Sequence, residues 1–414
     1  MTQLAIDGGA PAVTTPLPAP WPHLSRPARR QIDVLLDAAC LSDYALGPHM
    51  AEFEEVVADY HDVPYVLGAA SGTAALHMAF YAVGIEPGDE VIVPSYSFHA
   101  TVAPLFLLSA VPVLCDVDPI TGNVDLADAA RRITGRTKAV VVTHMWGHPV
   151  DLDGLTELAA RYGLRVIEDG SHAHGARYRG KRVGAFSDAA IFSLGARKMV
   201  SGGTGGVMMT SAQEVYQRAL MLGHCHERAQ MVLPPQDSAV GYGANYHLSP
   251  LTAVVCTEQY RDLDERIAVK ASVLEGLSHR LEGIPGLRPP TTAADVTRGG
   301  WYGYKALYDA DELGGLPLDR FIAALQAEGL AVDRPSNRPL HRLNMFTSRH
   351  LEPSYYRPGV DRPLYQQGEL PGAEAYYEAC LSFPAPYLHE PCDDLLDQYA
   401  QGVLKVVKNC GTLR

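Results

Sequence analysis

The chain has 414 residues, of which 47% are hydrophobic and 20% charged, with a formal net charge of −13. At roughly 100–200 residues per domain this length suggests two or three domains, and the composition is that of a folded chain rather than a disordered one. The acidic balance argues against a nucleic-acid partner, which needs a positive footprint, but leaves room for a small anion held locally.

In chain order, the opening run Met1-Thr-Gln-Leu-Ala-Ile-Asp7 lacks the basic and apolar regions of a signal peptide, and residues 1–30, rich in Pro and Gly, read as an extended arm. Ser71 to Gly84 reads as a helix: Ser71 can cap it, and Leu76, Phe80 and Val83 share a face. Glu90–Pro94, Val113–Val117, Ala139–Thr143 and Leu164–Asp169 read as apolar strands, with helices at about 125–132 and 151–162 between them. Strands alternating with helices imply a mostly parallel sheet covered on both faces. Ala189–Ser193 and Gly206–Thr210 add two strands. Beyond these come a long helical stretch at about 250–283, a strand at Trp301–Tyr308, a helix at Leu318–Glu328, a Pro- and Arg-rich loop at about 334–364 and a last helix at about 391–408. The expected division is an arm (1–35), a large domain (36–265) and a smaller α+β domain (266–414).

Cysteines stand at 40, 115, 225, 256, 380, 392 and 410, an odd number with no C-x-x-C pair, which fits reduced thiols and a cytoplasmic location. The longest mostly apolar run, Thr101 to Cys115, is broken by Pro104 and Pro112 and falls short of the ~20 residues of a membrane span, so no membrane partner is expected.

Three features carry chemistry. Ala70-Ser71-Gly72-Thr73 opens a helix, and backbone N–H groups at a helix N-terminus can hold a phosphate, although an ordinary capped helix would read the same way. Asp169 ends an apolar strand, where open α/β sheets bind ligands and where a carboxylate can pair with a protonated pyridine nitrogen; a helix cap is the plainer reading. Ser193-Leu-Gly-Ala-Arg-Lys198 precedes the Gly-rich run Ser201–Gly206, so a strand-end Ser and a glycine loop flank one lysine. Burial and nearby positive charge, with Arg197 a candidate source, would depress that lysine's pKa and make it a nucleophile. The glycine run does not fit G-x-G-x-x-G, which disfavours a nicotinamide dehydrogenase.

In these features, and in Gly8-Gly-Ala-Pro11, Gly47–Glu54, Pro87–Ser95, Gly147–Asp151 and Glu168-Asp169, the sequence resembles the DegT/StrS sugar and cyclitol aminotransferases from the arm to about residue 390. The resemblance implies fold type I and the cofactor pyridoxal 5′-phosphate, with the pyridoxamine form as intermediate. It implies Lys198 as the lysine that joins the cofactor and later carries the proton, and Asp169 as partner of the pyridine nitrogen. Gly72, Thr73 and Ser193 would hold the phosphate, Phe98 would stack on the ring (core packing being its alternative), and Asn245 would reach the phosphate of a neighbouring subunit in a homodimer with shared sites.

Two positions depart from the common pattern. His172 stands where Gln is usual beside the cofactor's phenolic oxygen, and His247 stands where Arg is usual. With the Gly-Gly-x-Pro arm these look more like the members that aminate ketocyclitols in aminoglycoside pathways, with glutamate or glutamine as amino donor. A nucleotide-linked keto sugar is the alternative acceptor, and Arg334, Arg338, His341 and Arg342 are candidate substrate ligands, which a Pro- and Arg-rich surface loop would explain equally well. A pyridoxamine-dependent dehydratase would have His in place of Lys198, and a non-catalytic relative would have no need of Asp169, Ser193 and Lys198 together.

Overall fold

The computed structural model describes residues 3–43, 45–224, 226–235, 243–350 and 361–413. The part of the Pro/Arg-rich loop from 351 to 360, and Cys225, lie outside the described residues. Seven strands form the main sheet: β1 (Tyr65–Ala69), β2 (Glu90–Pro94), β3 (Val111–Cys115), β4 (Thr137–Thr143), β5 (Arg165–Asp169), β6 (Ala189–Ser193) and β7 (Gly206–Thr210), in the order β1-β7-β6-β5-β4-β2-β3. From β3 through β6 all neighbours are parallel, while β7 runs antiparallel to both β6 and β1.

Alternation along the strands sorts their side chains into two cores. Val91, Val93, Ala139, Val141, Ile167, Ala189 and Ile191 pack with the Gly72–Ala82 and Gln213–Gly223 helices. Ile92, Val140, Val142, Val166, Ala190 and Phe192 pack on the other face with the Pro48–His61, Leu152–Tyr162 and Pro250–Arg261 helices. Runs apolar at every position are what a sheet covered on both faces requires. The Gly72–Ala82 helix is accordingly buried nearly all round.

The C-terminal part has its own core around a three-stranded antiparallel sheet of Leu287–Arg288, Tyr304–Tyr308 and Cys380–Phe383. Leu4 and Val13 of the arm join that core. Glu328, fully buried, fastens the arm: its carboxylate accepts from Ala5 N–H at 2.8 Å and Ala12 N–H at 3.0 Å and pairs with Lys405 at 2.8 Å.

Several expected elements have different limits. The arm turns helical at Arg26–Asp37, where Ser25 caps Ala28 N–H. The stretch expected as one helix at 250–283 is two, Pro250–Arg261 and Leu263–Leu281, parted at Asp262, whose ψ of 13° leaves helical geometry. The boundary expected at 265/266 falls inside the second of these, whose start (Leu263, Ile267) packs on the large sheet and whose remainder (Val273, Leu274, Leu277) enters the C-terminal core. The strand expected from Trp301 begins only at Tyr304, because Gly300 and Trp301 adopt left-handed backbone (φ 45° and 39°) that extended pairing cannot continue.

Candidate active site

Thr143, Asp169 and Ser193 are the last residues of β4, β5 and β6. Each shares the parity of a residue packed against the Gly72–Ala82 helix (Val141, Ile167, Ile191), so all three reach the same face of the sheet, at the carboxyl ends of the strands. The N-terminus of that helix opens beside them. Ser71 Oγ accepts from Ala74 N–H at 3.0 Å, leaving the N–H groups of Gly72 and Thr73 without an intrahelical partner. A methyl group on Gly72 would come within 2.9 Å of Ser193 Cβ, and one on Gly206 within 2.5 Å of the Ser71 carbonyl carbon, so the glycine loop can lie on the helix start only because those side chains are missing.

Gly72, Thr73, Phe98, Asp169, His172, Ser193 and Lys198 line one cavity. Phe98 is 49% exposed, which removes the core-packing alternative and leaves an open aromatic face at the cavity wall. Asn245 does not line this cavity; it is exposed and in left-handed backbone, next to Tyr246, whose carbonyl accepts from Ala70 N–H at 2.6 Å. His247 lies apart as well, with Nε2 3.3 Å from Ser42 Oγ.

Asp169 is held by two donors: Thr101 Oγ1 to Oδ2 at 2.9 Å and Ser171 N–H to Oδ1 at 3.0 Å. Ser97 Oγ lies 2.8 Å from Thr101 Oγ1 and 2.9 Å from Thr143 Oγ1. Each hydroxyl has a single proton. Thr101 gives its proton to Asp169, so Ser97 must donate to Thr101, and Thr143 supplies the proton that Ser97 accepts. Three buried hydroxyls are thus polarised toward one carboxylate.

Lys198 follows the left-handed Arg197 (φ 69°) in the turn after β6. Burial lowers its ammonium pKa to about 8, with the negative charge of Asp169 pulling the other way. Arg197 is exposed, so the positive neighbour expected to depress the lysine is not the cause; desolvation is.

Behind the lysine stands an aromatic stack. Lys198 Nζ sits 3.9 Å from the Tyr302 ring centroid, Tyr302 stacks on His172 at 4.0 Å, His172 stacks on Trp146 at 5.2 Å, and Lys305 Nζ closes the far end 4.3 Å from Trp146. His172 is buried and its Nδ1 has no hydrogen-bond partner. Burial, then the charges of Lys198, Lys305 and His174, hold it well below the ordinary imidazole pKa, so it is neutral and one ring nitrogen can donate. The left-handed turn at Gly300-Trp301 is what brings Tyr302 to the lysine.

The candidate substrate ligands divide. Arg334 is engaged by Asp319 and Glu378, Arg342 by Glu374 and Glu378, and buried His341 by Glu374 at 2.8 Å. Arg338 is exposed, two residues before Leu340, whose N–H donates to Ser95 O at 2.7 Å close to the cavity wall. Sequence reading did not single out Ser97, Thr101, Thr143, Trp146 or Tyr302. Thr143 carried a signal, a hydroxyl at the end of an apolar strand like Ser193. The others depend on loops that meet only in the fold.

A buried amine with a lowered pKa, a carboxylate with hydroxyl support, an orphaned imidazole nitrogen and a helix N-terminus with hydroxyls beside it are the groups that a phosphorylated pyridine aldehyde needs. The site residues therefore fit pyridoxal phosphate.

The family model for DegT/DnrJ/EryC1/StrS aminotransferases matches residues 28–391. The chain is 34% identical to an L-glutamine:2-deoxy-scyllo-inosose aminotransferase of Streptoalloteichus tenebrarius, covering 99% of both chains. It is 32% identical to the L-glutamine:scyllo-inosose aminotransferase of Streptomyces griseus, covering 99% of this chain and 98% of that one. Among solved structures, 3-amino-5-hydroxybenzoic acid synthase superposes with a TM-score of 0.82 at 27% identity (95% of this chain, 99% of that one). DesI, solved with its TDP-sugar product, superposes with a TM-score of 0.79 at 28% identity (98% and 96%).

Proposed function

This chain belongs to the DegT/DnrJ/EryC1/StrS aminotransferase family and is an aminotransferase; from that premise we propose that it uses pyridoxal phosphate to move the amino group of glutamine to the keto group of a cyclitol. The observation that carries the chemistry is the meeting of Lys198, Asp169 and the Gly72 helix start in one cavity. The substrate reading is supported by relatives matched end to end that are named for glutamine and inososes.

When bound, the cofactor supplies an electron sink and a carrier for the amino group. The residues divide the remaining work. Gly72 and Thr73 N–H groups, with the Thr73 and Ser193 hydroxyls, hold the phosphate. Asp169 keeps the pyridine nitrogen protonated, its own charge supported by Thr101. Phe98 covers one face of the ring, and His172 donates to the phenolic oxygen through the nitrogen that otherwise has no partner. Lys198, able to lose its proton near pH 8, carries a proton to and from the substrate carbon. Tyr302 walls off the amine from bulk water. Asn245, outside this chain's own cavity, is assigned to the phosphate of a second subunit in a homodimer, which mixing Lys198→Ala chains with Asn245 variants would test by restoring activity.

A panel decides the acceptor. Pyridoxamine-phosphate-loaded enzyme is mixed in single turnovers with ketocyclitols and with nucleotide-linked keto sugars, glutamine being the donor in steady state. The expected result is higher kcat/KM for the ketocyclitols. A tenfold preference for nucleotide-linked sugars, about 1.4 kcal/mol in transition-state binding, overturns the acceptor and leaves the transaminase chemistry standing.

A further inference from the structure

The N-terminal arm meets the segment at residue 389 just behind the lysine loop, and three metal-binding side chains meet with them. His23 Nε2 lies 3.8 Å and His389 Nδ1 3.9 Å from Glu390 Oε1. One ligand atom from each of the three residues falls within 4.8 Å of the others. His389 Nε2 is 3.0 Å from the Ala19 carbonyl oxygen, which can only accept. In the neutral imidazole the ring proton is therefore on Nε2, which leaves Nδ1, on the side of Glu390, as the nitrogen that can coordinate. A backbone carbonyl that fixes the tautomer of a ligating imidazole is the usual outer support of a metal site.

We propose that His23, His389 and Glu390 bind one divalent transition-metal ion of the zinc type, which ties the arm to the C-terminal segment. Two imidazoles and a carboxylate suit zinc, nickel, cobalt or copper rather than magnesium or calcium. Ligand bonds of about 2.0–2.2 Å place neighbouring donors of a tetrahedral site about 3.3–3.5 Å apart. His23 and Glu390, 49% and 61% exposed at the side chain, can close the remaining gap by rotating their own torsions, while His389, 8% exposed, is fixed. Water would complete the coordination.

The site bears on the lysine loop through Trp21. Its indole N–H donates to the carbonyl oxygen of Lys198 at 2.9 Å, and its ring packs edge-on against both histidines, at 6.1 Å from each. Arg266 lies over the same ring at 4.5 Å and donates to Met199 O at 3.0 Å. An ion at His23 would fix the strap that carries Trp21. The alternative is a set of exposed His–Glu pairs, which contribute little and bind no ion.

The test uses tag-free holoenzyme freed of metals, with Zn2+ alone as probe and Mg2+ as control, read by calorimetry and by limited proteolysis of the arm. The expected result is one Zn2+ per chain, no response to Mg2+, and at least tenfold weaker Zn2+ binding in both His23→Ala and Glu390→Gln. Both substitutions are at exposed side chains, and unchanged unfolding curves without metal would show that the fold is intact. Zn2+ should slow cleavage between residues 19 and 25 in the unsubstituted enzyme only. Absence of saturable Zn2+ binding, or undiminished binding in either variant, overturns the site. Binding without protection of the arm overturns the strap.

Discussion

Two carboxylates stand side by side at the end of β5 and face opposite sides of the sheet. Glu168 shares its side with Val166 and has four donors: the N–H groups of Gly184 at 3.0 Å and Phe186 at 3.2 Å, Ser187 Oγ at 2.8 Å and His144 Nε2 at 3.0 Å. His144 Nδ1 accepts from Val150 N–H at 3.1 Å, so its proton is on Nε2 and points at the glutamate. Asp169 has two donors and a cavity in front of it. A carboxylate can take about four hydrogen bonds. Glu168 is saturated and ties β5 to the 184–187 turn; Asp169 is half used and keeps acceptor capacity for something that is not protein. Both are buried, and what separates anchor from working group is the count of donors, which burial alone does not report.

The largest effect expected falls on the partner that faces Asp169. Lys198→Ala should abolish turnover, and borohydride treatment of the native holoenzyme followed by peptide mapping should label Lys198. Labelling at Lys305 or Lys270, the other lysines whose pKa values burial lowers, to about 8 and about 7, would move the chemistry elsewhere.

Asp169→Ala comes next. It removes the charge partner of the cofactor, worth several kcal/mol, so kcat should drop by orders of magnitude, each about 1.4 kcal/mol being tenfold. Unfolding of the apoenzyme by denaturant should change less than turnover does, since the two donors that lose their acceptor, Thr101 and Ser171, line the cavity and can be solvated from it. Near-normal turnover would mean that the unfilled half of Asp169 has no function.

Glu168→Gln should reverse that pattern. An amide oxygen accepts about two bonds where the carboxylate accepts four, so at least two buried donors are left unsatisfied at about 1–3 kcal/mol each, and stability falls while the folded fraction keeps most of its activity. Burial alone would raise the Glu168 pKa, but the bonds from His144, Gly184 and Ser187 outweigh it and hold it below the usual value. The unfolded chain therefore binds more protons at acid pH. The stability that Glu168 contributes is present above the unfolded glutamate pKa of about 4.3 and is lost as pH falls through the lower folded value. Native enzyme should show this acid loss and Glu168→Gln should lack that component. A larger loss of kcat than of stability would place Glu168 in the chemistry and dissolve the contrast.

Much of this contrast was legible in the sequence. β6 and β7 have the limits their apolar runs predict, Ser71 caps the helix it was expected to cap, and the alternation Val166, Ile167, Glu168, Asp169 already assigns the two acids to opposite faces. The donors were not legible. Ser97 and Thr101 follow β2, some seventy residues before Asp169, and the 184–187 turn closes on Glu168 only through the fold. Tyr302 was concealed for another reason: apolar and aromatic residues from 301 onward read as one strand, and only left-handed backbone at Gly300-Trp301 turns that ring to Lys198. The Pro48–His61 helix, with Met50, Phe53 and Val57 buried along one side, is an addition to the expected elements.

The smallest effects expected are at Thr101 and, behind it, Thr143, and they test whether the support of Asp169 matters beyond its presence. Thr101→Val keeps the volume and branching and deletes one hydroxyl. Asp169 Oδ2 then loses its donor, and Ser97 loses the acceptor that set the direction of the hydroxyl chain. A hydrogen bond to a charged group is worth about 1.5–3 kcal/mol, but the bond from Ser171 persists and cofactor binding would recover part of the rest. We expect kcat to fall about tenfold, with a weaker hold on the cofactor seen as a higher dissociation constant. Thr143→Val, one hydroxyl further back, removes only the donor to Ser97, which can then take no proton from that side but still gives its own to Thr101. Its effect should be smaller than that of Thr101→Val. Equal effects at the two positions would show that the chain acts as packing rather than as a directed set of hydrogen bonds. A null effect at both would mean that Asp169 needs no help from its side of the sheet, leaving its open acceptor positions as the whole of its difference from Glu168.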